Sequence, residues 1–156
     1  MTPAPAPQLS PLALQMALGF IAGILAVLSF HQFGIGVMHA LHWPVAPPYR
    51  MAPVPPFGMP DIIALALWGG VWGVVLNLAE LRLAKIPGGY WLGATLFGMI
   101  VPTLVLWCIV LPVRHLPVAF GFRWPEVLVA PIANTMWGFG TALILTLLPG
   151  HAPRKH

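Results

Sequence analysis

The sequence predicts an all-α protein, a bundle of four transmembrane helices, and three observations lead to that fold class. Hydrophobic residues make up 59% of the 156 residues and charged residues only 6%, whereas a soluble domain has roughly 25% charged residues. Four stretches have the length of about 20 apolar residues that a bilayer core requires. Each stretch is too long and too evenly apolar for a half-buried strand, and a helix satisfies its own backbone hydrogen bonds in lipid.

One membrane domain, residues 12–150, is predicted between a flexible Pro/Ala-rich tail at 1–11 and a basic tail at 151–156. No Lys or Arg precedes the first apolar segment, so we expect this segment to remain as an anchor and not to be removed as a signal peptide. A helix extending from residue 12 to residue 43 would be about 48 Å long, so its last turns must leave the core, tilt, or bend at Gly34 or Gly36. The predicted spans are 12–30 extending toward 43, 61–80, 91–113 and 126–148.

The distribution of Lys and Arg predicts that both termini lie in the cytoplasm. The side of the bundle that carries the termini has four basic residues and the opposite side has three, and the positive-inside bias favours the first side as the inner one. The net charge of +4 therefore reflects residues that flank helices, and no basic patch with interleaved aromatic residues indicates a nucleic acid partner. The residues compared are Arg82, Lys85, Arg154 and Lys155 against Arg50, Arg114 and Arg123.

The first outer connection, "PVAPPYRMAPVPPFGMP" at 44–60, is crowded with proline. Proline fixes φ and removes a hydrogen-bond donor, so this loop is predicted to be extended and stiff. It can serve as an ordered cover over the outer end of the bundle or as a recognition strip for a partner, and we favour the cover.

Two segments of similar sequence indicate an internal repeat. "PDIIALALWGGVWG" at 60–73 and "PEVLVAPIANTMWG" at 125–138 both begin with proline and an acid and reach Trp-Gly after the same interval. "LGFIAG" at 18–23 and "LGATLFG" at 92–98 are a looser match. The spans then form two tandem helical hairpins related by a parallel repeat, unless the likeness is only the shared composition of membrane helices.

Small residues four positions apart predict a close-packing face on every span. Such pairs let helix backbones approach each other, which matters in lipid because no hydrophobic force drives helices together. Trp72 and Trp137 are predicted to fill space beside these faces. The pairs are Gly19 and Gly23, Gly69 and Gly73, Ala94 and Gly98, and Gly138 and Ala142.

Several polar residues inside the spans are candidates for a functional site, because polar groups are costly in lipid. Asp61 and Glu126 follow prolines at helix starts, where an acid complements the helix dipole. Glu80 lies near the end of a span, where a negative charge opposes the dipole. The intramembrane polar candidates are His31, Gln32, Asn77, Glu80, Asn134 and Thr135.

Histidines near the outer ends of the first and third spans suggest a metal or haem site. His39 and His42 are neighbours on a helix surface, and the topology brings His115 to the same level. Two or three imidazoles, with Asp61 or Glu126 as an oxygen ligand, could bind a metal ion, and a histidine of the first span together with His115 could bind haem. The alternative, which we favour, is that these histidines lie in the headgroup layer and bind nothing.

Three short motifs resemble a family. "FHQ" at 30–32, "MAPVPPFG" at 51–58 and "LWGGVWG" at 67–73 resemble segments of a group of small four-span inner-membrane proteins of proteobacteria that has no known activity. The resemblance covers about the first half of the chain. It implies a bacterial inner membrane and a four-helix fold.

The leading functional hypothesis is a non-enzymatic accessory or scaffold protein that packs in the inner membrane, in a homo-oligomer or beside a larger complex. The spans carry no paired carboxylates at one depth, no nucleophile beside a base and no phosphate-binding loop. A small channel or transporter passing Asn77, Asn134 and Thr135 is an alternative. A haem- or metal-binding redox protein using His39, His42 and His115 is a second alternative.

Overall fold

The computed structural model describes residues 10–149 and confirms the predicted four-helix bundle. Four helices are long and apolar enough to cross a membrane, so the chain is a multi-pass membrane protein. We call the end of the bundle with connections 41–60 and 114–125 the distal end, and the opposite end the proximal end. The helices are α1 (Pro11–Ala40), α2 (Asp61–Leu78), α3 (Glu80–Leu83), α4 (Gly89–Val113) and α5 (Glu126–Leu147), with strands β1 (Pro53–Val54) and β2 (Met59–Pro60).

The ends of the helices follow local chemistry. The Ser10 hydroxyl accepts a hydrogen bond of 3.2 Å from the backbone N–H of Ala13, and Pro11 is the first helical residue, an arrangement typical of a capped start. The helix thus starts within the predicted flexible tail, whose residues 1–9 lie outside the described residues, as does the basic tail 151–156. At its other end α1 stops at Ala40, before the predicted limit of 43.

Two further boundaries differ from the prediction by two residues each. Helix α2 ends at Leu78, and the residues after Ala79 form the separate short helix α3. Helix α4 begins at Gly89, two residues before the predicted start, because Gly88 has a φ of 100°, which glycine adopts without a Cβ clash.

Both helices that lead to the distal end contain a π-helical segment. These segments are Val27–His31 in α1 and Leu106–Val110 in α4, and such segments change the helical hydrogen-bonding pattern. The π-helical segment of α1 thus lies before Gly34 and Gly36, where a bend was one of the three predicted alternatives. Each segment is met by the distal connection that follows its helix: Tyr49 bonds to the first, and the 3₁₀ turn Val118–Phe122 contacts the second.

Glycine contacts join α1 and α2 into an antiparallel hairpin. A Cβ placed on Gly23 would overlap the carbonyl oxygen of Gly69, and one placed on Gly19 would lie 2.7 Å from the carbonyl oxygen of Gly73. The backbones therefore touch, and only glycine allows this approach. Extended along both helices, this register pairs the first residue of α2, Asp61, with position 31 of α1.

Helices α4 and α5 repeat these contacts. A Cβ on Gly98 would lie 2.5 Å from the carbonyl oxygen of Asn134, and one on Gly138 would lie 2.6 Å from that of Ala94. The two hairpins thus place structurally equivalent residues in contact, as the repeat hypothesis requires. Corresponding contact residues are Gly69 and Asn134, Gly73 and Gly138, Gly19 and Ala94, and Gly23 and Gly98.

Larger side chains fill the space between the hairpins. Helix α1 packs on α5, whereas within residues 10–149 helices α1 and α4 lie diagonally opposite without contact. The Trp72 and Phe97 rings meet edge to face, with centroids 6.4 Å apart, between α2 and α4. The core thus combines glycine seams inside each hairpin with aromatic packing between hairpins.

Candidate functional site

The polar residues predicted within the spans mostly form hydrogen bonds between or within helices. At mid-bundle the Asn134 amide donates to the Thr103 hydroxyl over 2.9 Å, which joins α5 to α4. The Thr135 hydroxyl donates to the Pro131 carbonyl over 2.6 Å. Thr103 was not predicted, although a hydroxyl residue directly after Pro102 in an apolar span was a usable signal.

The predicted tryptophans occupy different environments. Trp137 is 2% exposed, and its indole N–H donates to the Gly23 carbonyl over 3.1 Å, which joins α5 to α1. Trp72 is partly buried and contacts Phe97 of α4. Each tryptophan therefore reaches from the second helix of its own hairpin to the first helix of the other.

A proximal polar cluster consists of Gln15, Asn77, Glu80 and Tyr90. The Asn77 side-chain amide donates to the main-chain carbonyl of Gln15 over 2.7 Å, which ties α2 to α1. All three acidic residues lie in the described part of the chain, and Glu80 alone among them is buried, at 8% exposure. The Tyr90 hydroxyl is buried and has no hydrogen-bond partner within residues 10–149. The proximal end of the bundle therefore holds a buried carboxyl group, that of Glu80, and a buried hydroxyl group, that of Tyr90.

A distal polar cluster forms where the connection 41–60 folds back on α1. The Gln32 side chain is 4% exposed, and its carbonyl oxygen accepts from the Tyr49 backbone N–H over 2.8 Å. The Tyr49 hydroxyl donates to the Leu28 carbonyl over 2.8 Å. The amide nitrogen of Gln32 lies 3.4 Å from His31 Nδ1. Tyr49 therefore holds the proline-rich loop against the π-helical segment of α1.

The structure does not assemble the predicted metal site. Within residues 10–149, no group of three or more His, Cys, Asp or Glu side chains is placed to hold a metal ion. His39 Nδ1 is 3.1 Å from the Val45 carbonyl oxygen. His42 has a φ of 61° beyond the helix end, so it does not share a helix surface with His39 as expected. His115 likewise has a positive φ, of 57°, just after α4.

Asp61 and Glu126 each occupy the first turn of a helix, as predicted. Asp61 also lies 3.9 Å from Arg50, and Glu126 forms an ion pair of 2.8 Å with Arg123. Each acid thus joins a distal connection to the helix that follows it. These partly exposed pairs contribute at most about 1 kcal/mol each.

The fold and these contacts define the class: a small multi-pass membrane protein built from two helical hairpins. No family model, curated protein or solved structure matches the chain.

Proposed function

We propose that the protein is a non-enzymatic accessory or scaffold subunit of the bacterial inner membrane, with both termini in the cytoplasm. One observation carries the proposal: the polar side chains in the spans act as ties between helices. Asn77, Asn134 and Trp137 each donate a hydrogen bond to a neighbouring helix. Such bonds stabilise a bundle, and this use of the polar side chains supports a structural role over a path for a solute.

The exposed surface offers places for partners. Phe57, at the tip of the β1–β2 hairpin, is 82% exposed, and Trp124 in the other distal connection is 75% exposed. Aromatic residues are enriched at protein interfaces and at membrane surfaces. The hairpin is held by backbone hydrogen bonds from Asp61 and Ile62 to the preceding loop, so Phe57 is presented from an ordered support.

Site-specific photocrosslinking in native membranes tests this function. The chain contains a single cysteine, Cys108, so a Cys108→Ser background accepts one new cysteine that carries a benzophenone. Phe57→Cys should give a discrete protein adduct. Thr146→Cys, at an exposed position near the proximal end of α5, serves as the control. Native mass spectrometry should show a particle heavier than one 16.8 kDa chain. A lone monomer that gives no adduct at Phe57 would refute the scaffold role.

The orientation is tested separately in the same background. Phe57→Cys should react with a membrane-impermeant maleimide added outside intact spheroplasts, whereas a cysteine in the 84–88 connection should react only after lysis. The opposite pattern would reverse the proposed topology without affecting the scaffold proposal.

A further inference from the structure

A groove opens on the outside of α1 at its distal end. It has a volume of about 480 Å³, which is within the range of about 300–1,000 Å³ typical of small-molecule sites. A Cβ on Gly36 would meet only Pro48, at 3.7 Å, so this glycine leaves the groove open. The lining residues are Ser29, Gln32, Phe33, Gly36, Val37, Ala40 and Tyr49.

The groove lies at the membrane boundary. Helix α2 has 18 residues and is therefore about 27 Å long, close to the thickness of a bilayer core. Its first residue, Asp61, marks the distal boundary and pairs with position 31 of α1 in the extended glycine register. Residues 32–40 of α1 continue for about 13 Å beyond this level.

The apolar wall of the groove needs a cover at that level. Phe33 is 64% exposed and Val37 is 43% exposed, and both belong to the part of α1 beyond the core. Apolar surface of this size is unfavourable in the hydrated headgroup layer. An acyl chain that rises from the adjacent bilayer can cover both side chains.

The floor of the groove supplies a hydrogen-bond donor. The Gln32 carbonyl oxygen is used by Tyr49, while its NH₂ group has only the 3.4 Å contact with His31 Nδ1 within residues 10–149. An amide NH₂ carries two donors, so at least one remains for a ligand. Ester carbonyls of phospholipids are acceptors, and they lie at this boundary between the core and the headgroups.

A cation follows the lining residue Tyr49 directly in the chain. The Arg50 side chain is 52% exposed, and its contact with Asp61 is 3.9 Å long. A guanidinium has five N–H donors in a geometry that suits phosphate. Arg50 is therefore an exposed cation, one residue from the groove lining, that suits an anionic headgroup.

We propose that this groove binds one phospholipid, with an acyl chain along Phe33 and Val37, an ester carbonyl on the Gln32 amide and the phosphate toward Arg50. The site is independent of the scaffold role, because it requires no protein partner. The ligand class is a diacyl lipid with a phosphate, and phosphatidylglycerol is the probe.

Native mass spectrometry of the detergent-purified protein, titrated with phosphatidylglycerol, tests the proposal. One lipid should remain bound to the wild type under conditions that remove the others. Gly36→Leu fills the groove, and Gln32→Leu removes both amide donors without adding a charge, so each should weaken retention about tenfold. Val75→Leu, at an exposed position on α2, is the matched control and should bind like the wild type.

Three outcomes would overturn the proposal. Gly36→Leu could retain as much phospholipid as the wild type, or Val75→Leu could lose as much of it as Gly36→Leu. The third is that the wild type retains an isoprenoid quinone in preference to phospholipid. Thermal melting checks that the variants fold. If Gly36→Leu does not fold, Val37→Trp occupies the same groove from the other side and must give the same loss.

Discussion

Replacing Gly23 with alanine should separate α1 from α2. The added Cβ would overlap the Gly69 carbonyl oxygen and lie 2.8 Å from the Gly69 carbonyl carbon and 3.1 Å from the Gly70 Cα. All three are backbone atoms, so no side-chain rotation relieves the overlap. Overpacking of this kind costs about 1–3 kcal/mol, and displacement of the Gly23 carbonyl from the Trp137 indole costs about 1 kcal/mol more.

Gly36→Ala is the matched control in the same helix. Its Cβ would meet only Pro48 at 3.7 Å, and both variants gain the same helix propensity, up to about 1 kcal/mol over glycine. The difference between the two free energies of unfolding is therefore about 2–4 kcal/mol, with Gly23→Ala the less stable. Reversible unfolding in mixed micelles with increasing SDS, followed by tryptophan fluorescence, measures this difference. Two variants that agree within about 0.5 kcal/mol would show that the glycine seam does not stabilise the hairpin.

Three further predictions use the same unfolding assay. Gly98→Ala should destabilise the chain by about as much as the overpacking in Gly23→Ala, about 1–3 kcal/mol, because its Cβ also meets only backbone atoms, among them the Asn134 carbonyl oxygen that corresponds to that of Gly69. A neutral effect would remove the structural support for the repeat. Tyr49→Phe should lower the free energy of unfolding by about 1 kcal/mol, because the hydrogen bond to the Leu28 carbonyl is lost. It should also speed amide hydrogen exchange in residues 41–60, and unchanged exchange would show that Tyr49 does not hold that loop. Asn134→Leu should lower the free energy of unfolding by about 1–3 kcal/mol, because the buried Thr103 hydroxyl loses its hydrogen-bond donor. Adding Thr103→Val should recover part of this loss, and additive effects of the two substitutions would exclude a coupled pair.

The sequence also predicted the small residues at the helix contacts, but it did not determine which ones meet. Spacing identified Gly19 and Gly23 as a packing face, and any other small face in the bundle was a possible partner. The structure pairs them with Gly73 and Gly69. This choice depends on the register of the hairpin, which the connecting loop and the Asn77 hydrogen bond help to set.

The candidate sites were harder to predict because they join residues that are far apart in the chain. Gln32 and His31 were predicted as a polar position, but Tyr49 completes the distal cluster only when its loop folds back on α1. The predicted pair of His39 and His42 required an uninterrupted helix, and α1 ends between them at Ala40. Local spacing along a helix gives the wrong geometry once the helix stops.

The sequence alone determined that the chain forms four apolar helices in a bundle, because hydropathy and length are local properties and lipid admits few other backbone conformations. Only the tertiary structure decided the hydrogen bonds between helices, the π-helical segments and the groove at Gly36. These depend on close approach between distant segments, where distances of a few ångströms separate a contact from a clash.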